Sequence, residues 1–214
     1  MKNRIDDMNI IIKFKDLLVE ALRENKKLII GLYIIFIISF IVAWILSASK
    51  MQASFGNIPI ANNTNLNSSA TELFIHNVSG GIMVYLASIF FAIPAIVMMV
   101  FDGVNLGLLG QMFNTVMPNG GLFYIVYLIP HGIFEITASV IQSACGIMLF
   151  LFIFRFIKSL RSSETHGASD AFDKTKKVLV QSIVLMIFSI ILMLIAAPIE
   201  AYVSVPLAQF IVGV

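Results

Sequence analysis

The chain has 214 residues, of which 59% are hydrophobic and only 12% charged, with a net charge of +2. Soluble domains carry roughly 25% charged residues, and a mean hydropathy of +0.95 is too apolar for a chain that must cover itself with polar surface. An ordinary soluble domain is thereby excluded. A nucleic-acid partner is not expected either, because the basic segments lack interleaved aromatics.

Residues 1–27 read as a separate cytoplasmic arm. Ile10, Phe14, Leu17, Leu18 and Ala21 recur at helical spacing, with Lys13, Lys15, Glu20, Arg23 and Glu24 between them. Such a helix suits either an anionic inner leaflet, which makes membrane lipids a partner, or a cap on a helical bundle. Residues 28–214 then form a transmembrane domain. Leu28–Ala48 supplies the roughly 20 apolar residues that a spanning helix needs, with Trp44 near its far end as an interfacial anchor. No small-residue cleavage site follows Leu28–Leu46, so this run is expected to stay as an anchor. The polar loop 49–77 contains three Asn-x-Ser/Thr sequons, at Asn62, Asn67 and Asn77; the last lies close to the membrane.

A second span is expected over Val78–Phe101, kinked at Pro94. Val104–Met117 is short, contains Gly107 and Gly110, and runs into the turn Pro118-Asn119-Gly120-Gly121. It reads as a thin span or a re-entrant element. Leu122–Ile157 is largely apolar, but as one straight helix it would be roughly 54 Å long against a hydrocarbon core of about 30 Å. A break at Pro130 divides it into a half-helix, 122–129, and a span, 130–157. The loop 158–177 precedes the last span, Val178–Ala197. The apolar tail 199–214, with Pro206, either lies in the interface or dips into the bundle.

These elements predict an all-α, polytopic membrane helix bundle. It has about five transmembrane helices and a broken or re-entrant segment around residues 104–130. Seven of the fourteen Lys and Arg precede the first span and six fall in 155–177. By the positive-inside tendency both segments face the cytoplasm, which gives a multi-pass protein of the cell membrane with a cytoplasmic N-terminus. The parity requires 104–117 to cross, which makes it the weakest span.

Ionisable side chains within spans are costly and count as functional candidates. His131 and Glu135, four apart, share a helix face that Ala138 and Gln142 continue. Glu200 follows Pro198 just past the last span, while His76 and Asn77 introduce the second, one turn after Glu72. Topology brings these residues to one depth in the outer leaflet. Asp102 and Asn105 are expected on the opposite, inner side. Gly103, Gly107 and Gly110 permit close helix contact, and Gly132 leaves room for another backbone. The His131/Glu135 pair reads as a packing and register device, as part of a proton, ion or lipid pathway, or as catalytic. Zinc hydrolases place two His in His-Glu-x-x-His; only one His is present here, so no catalytic residue is assigned and whether a metal is held stays open. No cofactor is expected. Cys145 is the sole cysteine, allows no intrachain disulfide and reads as a core residue.

Pro130-His131-Gly132-x-x-Glu135 within a hydrophobic run resembles the hallmark of the stage II sporulation protein M family. Phe74-x-x-Asn77, Asn105-x-Gly107 and Ala196-Ala197-x-x-Glu200-Ala201-Tyr202 followed by Pro206 extend the resemblance over roughly residues 70–206. It departs from the family pattern in having Pro94 and few glycines in the second span. The resemblance implies a five- or six-helix membrane protein; the namesake anchors and organises two peptidoglycan-degrading partners during engulfment. It assigns no role to His131, Glu135 or Glu200, and sporulation does not carry over. The first functional reading is therefore a non-enzymatic membrane scaffold, homo-oligomeric, that positions envelope protein partners. The alternatives are a transporter or lipid-handling protein using the His/Glu cluster, and an intramembrane hydrolase.

Overall fold

A computed structural model describes residues 2–55, 69–163 and 165–213. Every regular element among the described residues is helical: α1 (Lys2–Glu24), α2 (Lys26–Phe55), α3 (Ala70–Ala87), α4 (Ile93–Val116), α5 (Gly120–Leu160), α6 (Ala168–Ile199) and α7 (Val205–Val212). A π-helical turn, Glu200–Ser204, joins the last two without a break. The sequons at Asn62 and Asn67 lie outside the described residues. Among the described residues, four helical stretches are long and apolar enough to cross a membrane: 26–48, 93–116, 120–160 and 168–212. The protein is an all-α, multi-pass membrane bundle.

Two helix boundaries differ from the sequence expectation. The chain breaks at residues 88–92, not at 102–103, so Asp102 and Gly103 lie inside α4. Pro94 does not kink a span. It stands in the first turn of α4, where its missing N–H costs nothing. The helix is also not broken at Pro130: α5 runs through it for 41 residues, roughly 61 Å at 1.5 Å per residue. A proline is tolerable within a membrane helix where neighbouring helices and local adjustments satisfy the freed carbonyl. The interruption expected around 104–130 thus shrinks to the turn at 117–119, with Asn119 in the left-handed region at φ 57°. Likewise the loops 49–77 and 158–177 are shorter than expected: α2 runs on to Phe55, α3 begins at Ala70, and residues 161–167 join α5 to α6.

Contacts fix the directions of the helices. A Cβ added at Gly103 would sit 2.5 Å from the Phe36 carbonyl oxygen, and one at Gly107 2.5 Å from that of Phe40. Gly110 lies against the Trp44 ring. Residue numbers rise together, so α2 and α4 run parallel in backbone contact, and α4 spends its glycine face within the chain. Between α4 and α5 the order reverses: Phe113 stacks on Phe123, while Gly146 of α5 faces Ala95. α3 runs parallel to α5, through Asn77 beside Glu135, Gly81 beside Gln142 and Ser88 beside Gly146. It is α3, polar in its first half, that returns the chain from one end of the bundle towards the other, so the weak member is α3 and not 104–117. α6 returns antiparallel to α5, with the Ser182 hydroxyl donating to the Cys145 carbonyl at 3.1 Å. α5 packs on α2, α3, α4, α6 and α7 and supplies Val140, Ile141, Ala144, Cys145 and Met148 to the core. Cys145 is buried there and reduced.

The second half of α1 docks on the start of α6. Ala21 is fully buried in the cluster with Met148 and Leu185, and Lys177 pairs with Glu20 at 2.8 Å and Glu24 at 2.7 Å. The hydrogen bond from Lys177, followed by that from Gln181, holds the Glu24 carboxyl below its usual range. Lys13, Lys15 and Arg23 remain exposed. Glu72 belongs to none of the polar groups discussed below. It closes a capping box with Ser69 at the start of α3, accepting from the Ser69 N–H at 2.9 Å; capping of this kind contributes about 1 kcal/mol.

Candidate functional site: a polar centre within the bundle

The uninterrupted α5 sets Tyr127, His131 and Glu135 on one face at four-residue spacing. The Tyr127 and His131 rings meet edge to face, centroids 4.9 Å apart. His131 is 2% exposed, and its Nε2 lies 3.8 Å from Glu135 Oε2, too far for a direct hydrogen bond. The π-helical turn after α6 supplies the facing side. Pro206 has no N–H to close an ordinary turn onto the Tyr202 carbonyl, which favours a wider winding just before it. That turn carries both Glu200 and Ser204 to the polar face of α5.

Each of the three principal groups has its own outer partner. Asn77 Nδ2 donates to Glu135 Oε1 at 2.9 Å. The Tyr127 hydroxyl donates to Glu200 Oε1 at 3.2 Å. His131 Nδ1 is 2.8 Å from Ser204 Oγ, and Ser204 donates its single proton to the Ile199 carbonyl at 3.2 Å. With the Ser204 proton on Ile199, its oxygen accepts from His131 Nδ1–H; in the other tautomer of the ring the hydroxyl donates to Nδ1 instead. One ligating atom from each of His131, Glu135 and Glu200 falls within 4.8 Å of the others.

Beside this trio lies a cavity of about 260 Å³ whose polar lining comes from three helices: His76 and Asn77, Asp102 and Asn105, Glu135 and Gln142. Asp102 and Asn105 are thus not on the opposite side from Glu135. With the helix break moved to 88–92, α4 carries them past α3 to the same cavity. No Lys or Arg among the described residues lines it, and the Glu135 side chain, 29% exposed, owes its exposure to this space. Gln142 Nε2 is buried without a hydrogen-bond partner, the one such side-chain atom among the described residues. A buried donor of this kind costs roughly 1–3 kcal/mol unless something in the cavity satisfies it.

The structure therefore brings His131, Glu135, Glu200 and Asn77 together and joins Asp102 and Asn105 to them through the cavity. His76 lines the cavity but is exposed and forms no side-chain bond to the trio. Gly132 makes no room for another backbone: a Cβ there would meet Leu128 and Ile136 of its own helix. Ser204, and Tyr127 as the partner of Glu200, escape a reading of the sequence. A break assumed at Pro130 detaches Tyr127 from the His131 face, and nothing in the sequence announces the π-helical turn. Gly81 was legible only as half of a Gly-Gly pair, yet any side chain there would strike the Gln142 amide.

No curated protein and no solved structure matches the chain. The family model described as stage II sporulation protein M matches residues 32–205. That match takes in α3, α4, α5 and α6, and with them every residue of the polar centre. The chain belongs to the stage II sporulation protein M family.

Proposed function

We propose that the protein is a solute-handling membrane protein whose central cavity takes a small cationic or amine-bearing solute. The observation that carries this reading is the pairing of Asp102 on α4 with Glu135 on α5 across one cavity with no Lys or Arg among the described residues of its lining. Two carboxylates held within a membrane bundle, with amides from Asn77, Asn105 and Gln142 around them, favour a positive occupant. Ionisable groups within membrane spans are costly, face the bundle interior or a cavity and mark substrate and ion pathways. The test is thermal stability of the protein in lipid nanodiscs, titrated with Na⁺, K⁺ and small alkylammonium ions. A saturable stabilisation by at least one of them is expected, and it should be lost in Asp102→Asn and in Glu135→Gln. No response to any cation, or the same response in both variants, would refute the reading.

A membrane scaffold that organises envelope partners is the second reading, supported by family membership. It predicts the refuting outcome of that titration, so one experiment separates the two. Orientation enters either reading. Six basic residues in 155–177 and seven in residues 1–27 favour a cytoplasmic location for both segments in the cell membrane. In a Cys145→Ala background, Asn119→Cys should react with an impermeant thiol reagent added outside whole cells. His166→Cys should react only after the cells are opened. The reverse pattern would invert the topology.

A further inference from the structure

From the geometry of His131, Glu135 and Glu200 we infer that the protein binds one divalent first-row metal ion, of the Zn²⁺, Mn²⁺ or Fe²⁺ class, at this trio. Four observations carry the assignment. First, the ligating atoms already lie within 4.8 Å of one another. Around a tetrahedral ion with bonds of about 2.1 Å, ligand atoms sit roughly 3.4 Å apart. The 3.8 Å between His131 Nε2 and Glu135 Oε2 needs only a small contraction to reach that spacing. Secondly, the surroundings of His131 admit the tautomer that ligation needs. In the tautomer with Nδ1–H donating to Ser204 Oγ, Ser204 bonds the Ile199 carbonyl and the Nε2 lone pair faces Glu135.

Thirdly, every ligand has an outer partner that holds its orientation: Ser204 for His131, Asn77 for Glu135 and Tyr127 for Glu200. This layer of hydrogen bonds around the ligands is the usual support of a metal centre. Fourthly, the ligands come from two segments, and the one that supplies Glu200 and Ser204 is a π-helical turn, a local widening that recurs at functional sites. One imidazole with two carboxylates suits borderline first-row ions; an all-oxygen set would point to Mg²⁺ or Ca²⁺.

The inference goes beyond the solute reading and does not rest on it, although Glu135 borders both places. The test uses the full chain, purified in detergent without a polyhistidine tag and stripped with a chelator. Co²⁺ is titrated with its visible ligand-field absorption as readout, Zn²⁺ competes, and bound metal per chain is counted by elemental analysis. One ion per chain is expected. Ser204→Ala should keep that stoichiometry but weaken affinity by roughly 10–100-fold, the usual effect of losing an outer partner. Glu200→Gln, and His131→Ala where it folds, should weaken it further and change the cobalt spectrum. His166→Ala and Asp102→Asn should bind like the parent. A parent that binds no metal overturns the assignment, as does a Glu200→Gln variant with unchanged affinity and spectrum. Loss of the alkylammonium response in Asp102→Asn with metal binding intact would separate the two sites.

Discussion

Gly107→Leu is expected to destabilise the bundle by about 3 kcal/mol or more, the upper end of what overpacking costs. A side chain at 107 would place its Cβ 2.5 Å from the Phe40 carbonyl oxygen and 2.9 Å from the Ala43 Cβ. Both obstacles belong to the α2 helix itself and cannot turn aside as the tip of a long side chain could. One helix must therefore move away from the other, and the movement undoes the contact at Gly103 one turn earlier and the seat of the Trp44 ring against Gly110. Trp44 in turn packs on Tyr124 with centroids 6.0 Å apart, so the strain reaches α5. Gly31→Ala is the control. Nothing lies within 4 Å of a Cβ at that position of α2, and alanine in place of an interior helical glycine is worth about 1 kcal/mol of helix propensity. Melting followed in detergent by size-exclusion chromatography should show Gly107→Leu well below the parent and Gly31→Ala at or above it. Equal melting of parent and Gly107→Leu would mean that α4 does not pack on α2 through this face.

The same glycines illustrate how far the fold was legible. Their spacing announced a close helix contact, because only a missing Cβ lets two backbones meet, but it did not say with which helix. Composition and charge were enough for the class, since no soluble arrangement hides so many apolar residues. Boundaries were harder. Asp102-Gly103 resembled a turn because a charge and a glycine usually leave the membrane together, whereas the bundle tolerates the charge by giving it a cavity. Pro94 was a start signal read as a kink, and Pro130 a tolerated interior proline read as a break. Those two errors account for the misplacement at the site: one sent Asp102 and Asn105 to the wrong end, the other hid Tyr127. His131, Glu135 and Glu200 were legible because ionisable groups stand out in apolar sequence. Ser204 was not, since a serine in a membrane helix usually bonds its own backbone and carries no signal of a tertiary role.

His131→Ala should be the most damaging change at the polar centre, at about 2–4 kcal/mol in metal-free protein kept in chelator. The buried imidazole fills space against the Tyr127 ring and shares a hydrogen bond with Ser204 Oγ. Its removal leaves a void and a fully buried hydroxyl without that partner, beside two neighbouring carboxylates. Glu200→Gln should cost about 1 kcal/mol or less, because the amide oxygen still accepts from the Tyr127 hydroxyl at the position now held by Glu200 Oε1 and one of two like charges is gone. The decisive variant is the pair. If His131 separates the two carboxylates, Glu200→Gln should be less costly, or even stabilising, once His131 is alanine, and the double variant should be more stable than the sum of the single effects by about 0.5 kcal/mol or more. Strict additivity would mean that the two residues do not feel each other. A His131→Ala variant as stable as the parent would remove the physical basis for treating the trio as one group, since a histidine that can be deleted without cost is neither satisfying Ser204 nor keeping the carboxylates apart.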